Sequence, residues 1–427
     1  MKESSNSSNE PFISDDSNSN NIHMNSEKSK NHNIENSSKK YISLTTAPIK
    51  LNIEKSLNLH YDNENDYNFI KHYSEGKFCI PKSLKEDKRH LENPKNRKVI
   101  RLLTYNIFCR PPPIKTNKDD YKTERINDFM SFLPMFDIIC LQELFGTFHN
   151  RRHRMIKAAI DHGFLYYVTA KSPNFLSKYM TDGGLVLLSR YPFVEHEFVN
   201  YEYGVMSDAI AMKGIIYAKI KIKESFLYLF MTHLQASYYD SPTILWNHTV
   251  NTRTEQTKFL ISYIYSKISK LSKIETDNSR IIICGDFNID AHDNFYSRKR
   301  FTNIPKSKIT EYDALVSKLK KLGIPINLML NKFKQHIPTF GVNTEDFDHV
   351  LTGEENLNTQ QTIDYIWEIK RNEGEDSEKR KEENLSENCK YLRINYDSPR
   401  LECFKVDNRP YQQLSDHFGL SVELEVR

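Results

Sequence analysis

An apolar run that ends on Gly-Asp-Phe-Asn constrains the fold of this chain more than any other feature. Ile281–Cys284 predicts a buried strand, and Gly285–Asn288 follows it directly. Side chains alternate along a strand, so Asp286 and Asn288 face the same way at its end. A carboxylate beside an amide suits an attacked phosphoryl centre, because the carboxylate positions a water or metal and the amide stabilises oxyanion charge. The structural alternative is that Gly-Asp simply turns the strand into a loop.

Other apolar segments also end on polar residues that phosphoryl chemistry needs. A lone strand-end histidine is usually structural, and a lone glutamate is usually a solvated charge, but a whole set of such ends favours one shared site. The set consists of Asn106, Glu143, His233, Asp364 and the adjacent Asp416 and His417.

Short apolar strands alternate with amphipathic helices from residue 99 onward. The strands are predicted near residues 99–108, 136–142, 184–190, 214–222, 226–233, 280–287, 362–369, 400–406 and 419–426, and the helices near 123–133, 150–162, 249–272 and 309–322. Only a few residues join the strands at 214–222 and 226–233, so this pair must be antiparallel. The order fits an α/β fold with two mixed sheets packed face to face and helices outside.

The polar strand ends occur in the order Asn, Glu, His, Asp-x-Asn, Asp, Asp-His. This order resembles the endonuclease/exonuclease/phosphatase superfamily from about residue 99 to the C-terminus. The resemblance implies a four-layer α-β-β-α sandwich and phosphoester hydrolysis.

The domain organisation follows from composition. Residues 1–45 are rich in Ser and Asn and poor in apolar residues, which predicts a disordered tail. Residues 46–98 are mixed and charged, which predicts a loosely attached extension. Residues 99–427 form the predicted catalytic domain, and the charged segment 371–388 is a predicted flexible loop within it.

Charge and hydropathy favour some functional classes over others. The chain has 60 basic and 56 acidic residues, so a net charge of +4 offers no support for a nucleic-acid partner. No apolar stretch approaches the ~18 residues that a membrane-spanning helix needs, and no secretory signal is visible. Six scattered cysteines do not read as a zinc site or a disulfide framework. We expect an intracellular monomer, cytoplasmic or peripheral on a membrane.

Three segments also resemble neutral sphingomyelinases: Gly183–Pro192, Thr232–Ala236 and Ser207–Gly214. For the third segment the resemblance implies that Asp208 and Lys213 form a conformational switch near the active site. The bland alternative is an exposed Asp and Lys flanking the start of a strand.

Two other subfamilies fit less well. Inositol-polyphosphate 5-phosphatases carry a Trp-Cys-Asp-Arg-like run where this chain has Thr362–Tyr365, which argues against them. That Asp-Tyr form is shared by nucleases and sphingomyelinases and does not choose between the two. Abasic-site endonucleases lack the Asp-to-Lys element.

The candidate metal ligands are acidic. Glu143 is the best candidate to hold Mg²⁺, because this ion is typically bound by one or two carboxylates with waters and substrate phosphate. The resemblance implies that Asn106 supports the metal site and that Asp416 binds the same ion or a second one.

The remaining site residues receive catalytic roles. His417 can take the proton of an attacking water, since imidazole titrates near neutral pH, and Asp364 would orient it. The family pattern implies that Asp286 aligns the water. Asn288 and His233 would stabilise charge on the phosphoryl oxygens.

The predicted activity is Mg²⁺-dependent, phospholipase C-type cleavage of sphingomyelin to ceramide and phosphocholine. Lysophosphatidylcholine is a second possible substrate because it shares the phosphocholine head. Tyr238, Tyr239 and Trp246 are predicted to contact the membrane surface that holds the substrate, since aromatic side chains favour bilayer interfaces. The alternatives are a DNA or RNA nuclease of the same fold and a silent membrane-binding module, which the filled polar positions disfavour.

Overall fold

The computed structural model describes residues 96–238, 244–292, 310–342, 351–357, 359–371 and 392–427. The predicted tail at 1–45, the predicted extension up to residue 95 and residues 372–388 of the predicted charged loop lie outside these ranges. In the part of the chain that is described, no helix is both long and apolar enough to cross a bilayer.

The described residues form strands and helices in alternation. The strands are β1 (Val99–Cys109), β2 (Ile138–Leu144), β3 (Tyr166–Thr169), β4 (Thr181–Asp182), β5 (Val186–Ser189), β6 (Phe193–Asn200), β7 (Ala211–Met212), β8 (Gly214–Ile222), β9 (Ser225–His233), β10 (Ser279–Asp286), β11 (Ile324–Asn327), β12 (Asp364–Lys370), β13 (Leu392–Ile394), β14 (Arg400–Glu402) and β15 (Gly419–Val426). The α-helices are α1 (Lys122–Met130), α2 (Arg151–Asp161), α3 (Ile244–Ile268), α4 (Lys273–Asp277), α5 (Glu311–Leu319) and α6 (Leu328–Phe333), and short 3₁₀ turns cover Leu133–Met135, Met206–Ile210 and Glu354–Asn356.

Two mixed sheets carry the fold. The first has the order β13-β15-β1-β2-β5-β3, with β14 also paired to β15, and the second has the order β11-β12-β10-β9-β8-β6. In the first sheet β1 runs parallel to β2 and antiparallel to β15. In the second sheet β10 runs parallel to β9 and antiparallel to β12, and β8 pairs antiparallel with β9 as predicted.

Both faces of each sheet are buried, which explains why the central strands are almost continuously apolar. In β1, successive residues point to opposite faces: Leu102 joins an apolar cluster that contains Leu229 and Ile282 of the second sheet, whereas Leu103 packs in a cluster with Phe129 of α1. A third cluster covers the outer face of the second sheet with residues of α3 and α5. The resulting α-β-β-α layers confirm the predicted four-layer sandwich.

Several edge elements differ from the prediction. Strands β3, β6, β11 and β13 were not predicted, and the predicted strand at 400–406 ends at Glu402. Most side chains at the start and middle of β6 are exposed, so it lacks the apolar alternation that marks a core-facing strand. Pro325 explains why β11 was not predicted, because proline within a sheet is confined to edge strands or strand ends. Helix α3 spans Ile244–Ile268 instead of 249–272.

Candidate active site

Strand register brings three of the predicted site residues side by side. His233 pairs with Asp286 across β9 and β10, and Asp286 pairs with Asp364 across β10 and β12. Gly285 allows this close approach, since a Cβ atom there would lie 2.0 Å from the carbonyl oxygen of Thr232, and its φ of +131° disfavours L side chains. The glycine of the Gly-Asp-Phe-Asn motif therefore has a structural role of its own.

The first sheet supplies the opposite side of the site. The amide nitrogen of Asn106, on β1, donates to Oε1 of Glu143 at 3.2 Å and to Oδ2 of Asp286 at 3.0 Å. Its amide oxygen accepts from the backbone N–H of Phe108. Asn106 thus joins carboxylates from two sheets, and a register shift in β1 between Asn106 and Cys109 ends the regular pairing at this point.

Three residues at the ends of these strands have left-handed backbone conformations. The φ angles are +52° at Phe108, +59° at Glu143 and +51° at Asn288. Such conformations are unfavourable for residues other than glycine and concentrate at functional sites, where surrounding contacts hold them. Their occurrence around Asp286 identifies this edge of the sandwich as the candidate site.

The Ser-Asp-His segment before β15 completes the cluster. Nδ1 of His417 lies 2.9 Å from Oδ2 of Asp364, and its Nε2 lies 3.9 Å from Oδ2 of Asp286. Ser415 anchors the segment, because its hydroxyl donates to the carbonyl of Asn106 and accepts from the backbone N–H of His417. Asp416 lies beside them, with Oδ1 4.0 Å from Nε2 of His417.

Burial and mutual repulsion shift the titration of these groups. Burial, together with the charge of Asp364, raises the pKa of Asp286 to about 7. Burial also raises the pKa of Asp416 to about 6. Burial by itself lowers the pKa of His417, but the charge and hydrogen bond of Asp364, with the charges of Asp286 and Asp416, outweigh it and raise the value to about 10.

The chemistry of the donor set fits a bound cation. Glu143, Asp286, Asp364 and Asp416 converge here, and Oε2 of Glu143 is buried without a hydrogen-bond partner among the described residues. Asp286, Asp364 and His417 also present ligand atoms within 4.8 Å of one another. In that trio, however, Asp364 and His417 already bond to each other. Glu143 and the neighbouring carboxylate of Asp416 are therefore the better candidates.

The two residues of the predicted switch extend this cluster. Nζ of Lys213 lies 2.8 Å from Oδ2 of Asp208, 2.9 Å from the carbonyl of Leu234 and 3.2 Å from Nε2 of His233. The same oxygen of Asp208 accepts from the backbone N–H of Ala236. Both side chains are buried, which excludes the alternative of an exposed pair at a strand start.

Lys213 determines the hydrogen bonding of His233. An ammonium group has three N–H donors, and the three partners of Lys213 account for all of them. Nε2 of His233 is then an acceptor. Burial, with the charges of Lys213 and His417, lowers the pKa of His233 well below its usual range, which favours the neutral ring. Nε2 of His233 also lies 3.4 Å from Oδ2 of Asp286. Asn288 lies nearby and donates from Nδ2 to the carbonyl of Leu234 at 3.1 Å.

One buried residue that the sequence analysis did not single out supports Glu143. Asp182 accepts hydrogen bonds from the backbone N–H groups of Gly146 and Gly184 and lies 3.1 Å from Nη1 of Arg152. It therefore holds the turn that follows Glu143. Its place directly before Gly183-Gly184 was the available signal, because an Asp before glycines commonly organises a turn.

Two of the three residues predicted to contact a membrane lie in the described part of the chain. Trp246 is half-buried, and its ring centre lies 5.9 Å from the guanidinium carbon of Arg253. Tyr238 is half-buried, and its hydroxyl lies 2.5 Å from that of Ser207. Tyr239 lies outside the described residues. Membrane contact by these three residues stays a prediction.

Several known proteins are similar to this chain. The chain matches the Endonuclease/Exonuclease/phosphatase family over residues 103–417. A sphingomyelinase of Dictyostelium discoideum is 31% identical over 77% of this chain and 99% of its own length. Sphingomyelinase C of Bacillus cereus is 28% identical over 45% of this chain and 57% of its own length. The crystal structure of sphingomyelinase C from Streptomyces griseocarneus covers 77% of this chain and 99% of its own, with 15% identity and a TM-score of 0.49.

The family match and the Dictyostelium relative each cover most of the described domain. They confirm the resemblance seen in the polar strand ends. The chain belongs to the endonuclease/exonuclease/phosphatase family and is a sphingomyelinase-like member of it.

Proposed function

We propose that this protein is a Mg²⁺-dependent phospholipase C-type phosphodiesterase that cleaves sphingomyelin to ceramide and phosphocholine. The observation that carries the proposal is the contact between Lys213 and His233, because it joins the segment that resembles neutral sphingomyelinases to the phosphoryl site. The sphingomyelinase names of the Dictyostelium and Bacillus relatives support the same substrate. Lysophosphatidylcholine is proposed as a second substrate, since it shares the phosphocholine head of sphingomyelin.

Glu143 would hold the metal ion, together with Asp416 and with Asn106 as a support. A bound Mg²⁺ supplies charge neutralisation for the phosphoryl group and its leaving oxygen. The match of an unpartnered carboxylate oxygen on Glu143 with nearby buried acids supports this assignment.

His417 is the proposed general base. Its Nδ1 is bonded to Asp364, which leaves Nε2 to accept the proton of a water that Asp286 aligns. The charges of Asp364, Asp286 and Asp416 raise the pKa of His417. Asp416 would also hold the cation, so a bound cation would lower this pKa toward the neutral form that a base requires.

The reaction needs no covalent intermediate. The oxygen of water forms a bond to phosphorus, and the bond between phosphorus and the ceramide oxygen breaks. The proton that His417 took from the water is returned, directly or through solvent, to the ceramide oxygen. His233 and Asn288 are the proposed donors that stabilise charge on the phosphoryl oxygens. Lys213 orients His233 and adds a positive charge beside it.

Sphingomyelin is a bilayer lipid, so an enzyme that cleaves it must reach the membrane surface. The proposal therefore includes peripheral membrane contact by a monomeric protein inside the cell, with a choline phospholipid and not a nucleic acid as its partner.

One assay tests the proposal. Purified protein is incubated with sphingomyelin, lysophosphatidylcholine or abasic DNA, with Mg²⁺ or with excess EDTA, and His417→Ala serves as the inactive control. We expect release of phosphocholine from sphingomyelin in Mg²⁺ and none in EDTA. Cleavage of DNA with a steep salt dependence, and no phosphocholine, would support a nuclease instead.

A further inference from the structure

An exposed apolar ridge lies on two loops beside the candidate site. Phe175 is fully exposed at 101% of its reference area, and Leu176 is 91% exposed. These two residues follow Asn174 in a turn closed by a hydrogen bond from Ser177 to Asn174. The ridge consists of Phe175, Leu176, Met180, Tyr203, Met206 and Ile210, each at least 39% exposed.

The two loops are joined into one surface by backbone contacts. The N–H of Met180 donates to the carbonyl of Ile210 at 2.8 Å, and β4 pairs in parallel with β7 immediately beyond. The hydroxyl of Tyr179 donates to the carbonyl of Tyr201 at 2.7 Å. These contacts fix the two loops relative to each other, so their exposed apolar side chains lie on one surface.

The chemistry of the ridge matches the interface of a lipid bilayer. Contiguous exposed apolar surface is uncommon on soluble proteins and marks interaction sites. Lys178 lies within the ridge, with its ammonium 5.5 Å from the ring centre of Tyr203. A lysine beside an aromatic ring suits the headgroup layer, where its charge stays hydrated and the apolar side chains enter the acyl region.

The ridge is continuous with the catalytic cluster. Met206 and Ile210 begin and end the 3₁₀ turn that holds Asp208, and Asp208 bonds to Lys213 beside His233. A bilayer in contact with this turn lies next to the residues that would receive a lipid headgroup. This continuity favours a bilayer over another protein as the occupant.

We propose that the ridge around Phe175 and Leu176 inserts into a lipid bilayer and presents the active site to the membrane. The proposal rests on the proposed function, which places the substrate in that bilayer. It assigns the main membrane contact to Phe175 and Leu176.

The test compares the full chain with the double variant Phe175→Ser, Leu176→Ser. Binding to vesicles of phosphatidylcholine and sphingomyelin is measured by sedimentation in EDTA, which separates it from turnover. We expect the double variant to lose at least about tenfold in vesicle binding, since two large apolar side chains are removed. Hydrolysis of sphingomyelin in vesicles should fall in parallel, whereas hydrolysis of p-nitrophenyl phosphocholine, a soluble ester, should be unchanged.

A control residue lies at the opposite end of the strands from the candidate site. Ile274, on α4, is 76% exposed and precedes the amino end of β10, about 25 Å from its carboxyl end by strand length. Ile274→Ser removes one exposed apolar side chain that lies away from the ridge, and it should leave vesicle binding unchanged. A separate variant, Phe175→Trp, adds a fluorescent side chain to the ridge. Brominated lipids should quench a larger fraction of its tryptophan fluorescence than of that of the unaltered chain, which contains Trp246 and Trp367.

The outcomes separate this proposal from the proposed function. Vesicle binding that the double variant retains, or that the unaltered chain lacks, overturns the ridge proposal even if the soluble ester is hydrolysed. Dimerisation of the unaltered chain that the double variant abolishes, without vesicle binding, would instead identify a second copy as the occupant. Binding that depends on Phe175 and Leu176 without any phosphocholine release would support the ridge and refute the proposed chemistry.

Discussion

The Nζ atom of Lys213 lies 3.2 Å from the Nε2 atom of His233. The same ammonium binds Asp208 and the carbonyl of Leu234. Its buried positive charge therefore lies between the loop that carries Asp208 and the end of β9. Lys213 therefore links that loop to the candidate active site through a single side chain. The switch predicted from sequence is in direct contact with a residue of the proposed phosphoryl site.

Lys213→Met tests this contact because it keeps the side-chain length and removes the charge. We expect turnover of choline phospholipid in vesicles to fall at least about tenfold, since His233 loses its donor and the Asp208 carboxylate loses its ion pair. The pKa of His233 should rise, because the charge of Lys213 lowers it. Kinetics and an NMR titration of the ring give the two readouts.

Mg²⁺ activation should be nearly unchanged in Lys213→Met, because the hydrogen-bond partners of Lys213 do not include Glu143 or Asp416. Lys258→Met is the control, since Lys258 is 58% exposed on α3. Normal turnover in Lys213→Met would show that the contact with His233 has no role in the reaction.

Glu143→Gln tests the proposed metal ligand. It keeps the shape of the side chain but removes the charge, so turnover should fall by ~10²-fold or more, as for the loss of a major electrostatic group. Mg²⁺ should raise the melting temperature of the unaltered protein, because a ligand that binds only the folded state stabilises it, and this rise should be lost in the variant.

The control for the metal experiment is Glu255→Gln, because Glu255 is 62% exposed and pairs with Lys258 on the same helix. It should retain both turnover and the Mg²⁺-dependent rise in melting temperature. Activity of the unaltered protein that persists in excess EDTA would contradict the metal dependence.

Asp364→Asn tests the base assignment through pH. The negative charge of Asp364 favours the protonated form of His417 and raises its pKa, so removing the charge lowers that pKa. The rising limb of kcat against pH should consequently move to lower pH, while the maximal rate falls because the ring loses its orienting partner. His417→Ala should abolish the limb with most of the activity. A limb that stays in place in Asp364→Asn would assign it to another group.

Gly285→Ala tests the close approach of β9 and β10. The new methyl group would lie 2.0 Å from the carbonyl oxygen of Thr232 at a φ of +131°, so the free energy of unfolding should fall by about 2 kcal/mol or more. Urea denaturation measures the change. Gly419→Ala is the comparison, because the nearest atoms there are side-chain atoms at 3.0 Å and should cost less.

The order of polar strand ends was sufficient to predict the fold class and to select the residues of the candidate site. Buried strands that end at or near Asn106, Glu143, His233 and Asp286 can be recognised from the sequence, because a strand packed on both faces is a run of apolar residues. Strands such as β6 and β11 were missed, since an exposed edge strand or one with a proline has no such signature.

The sequence by itself determined which side chains stand at the ends of buried strands, because apolar runs and their polar ends are local features. Only the tertiary structure decided which of them meet. Asn106 and Asp286 are 180 residues apart and belong to different sheets, yet their side chains lie 3.0 Å apart. This contact depends on the register of each strand and on how the two sheets stack. A one-residue slip of β10 would turn Asp286 to the opposite face.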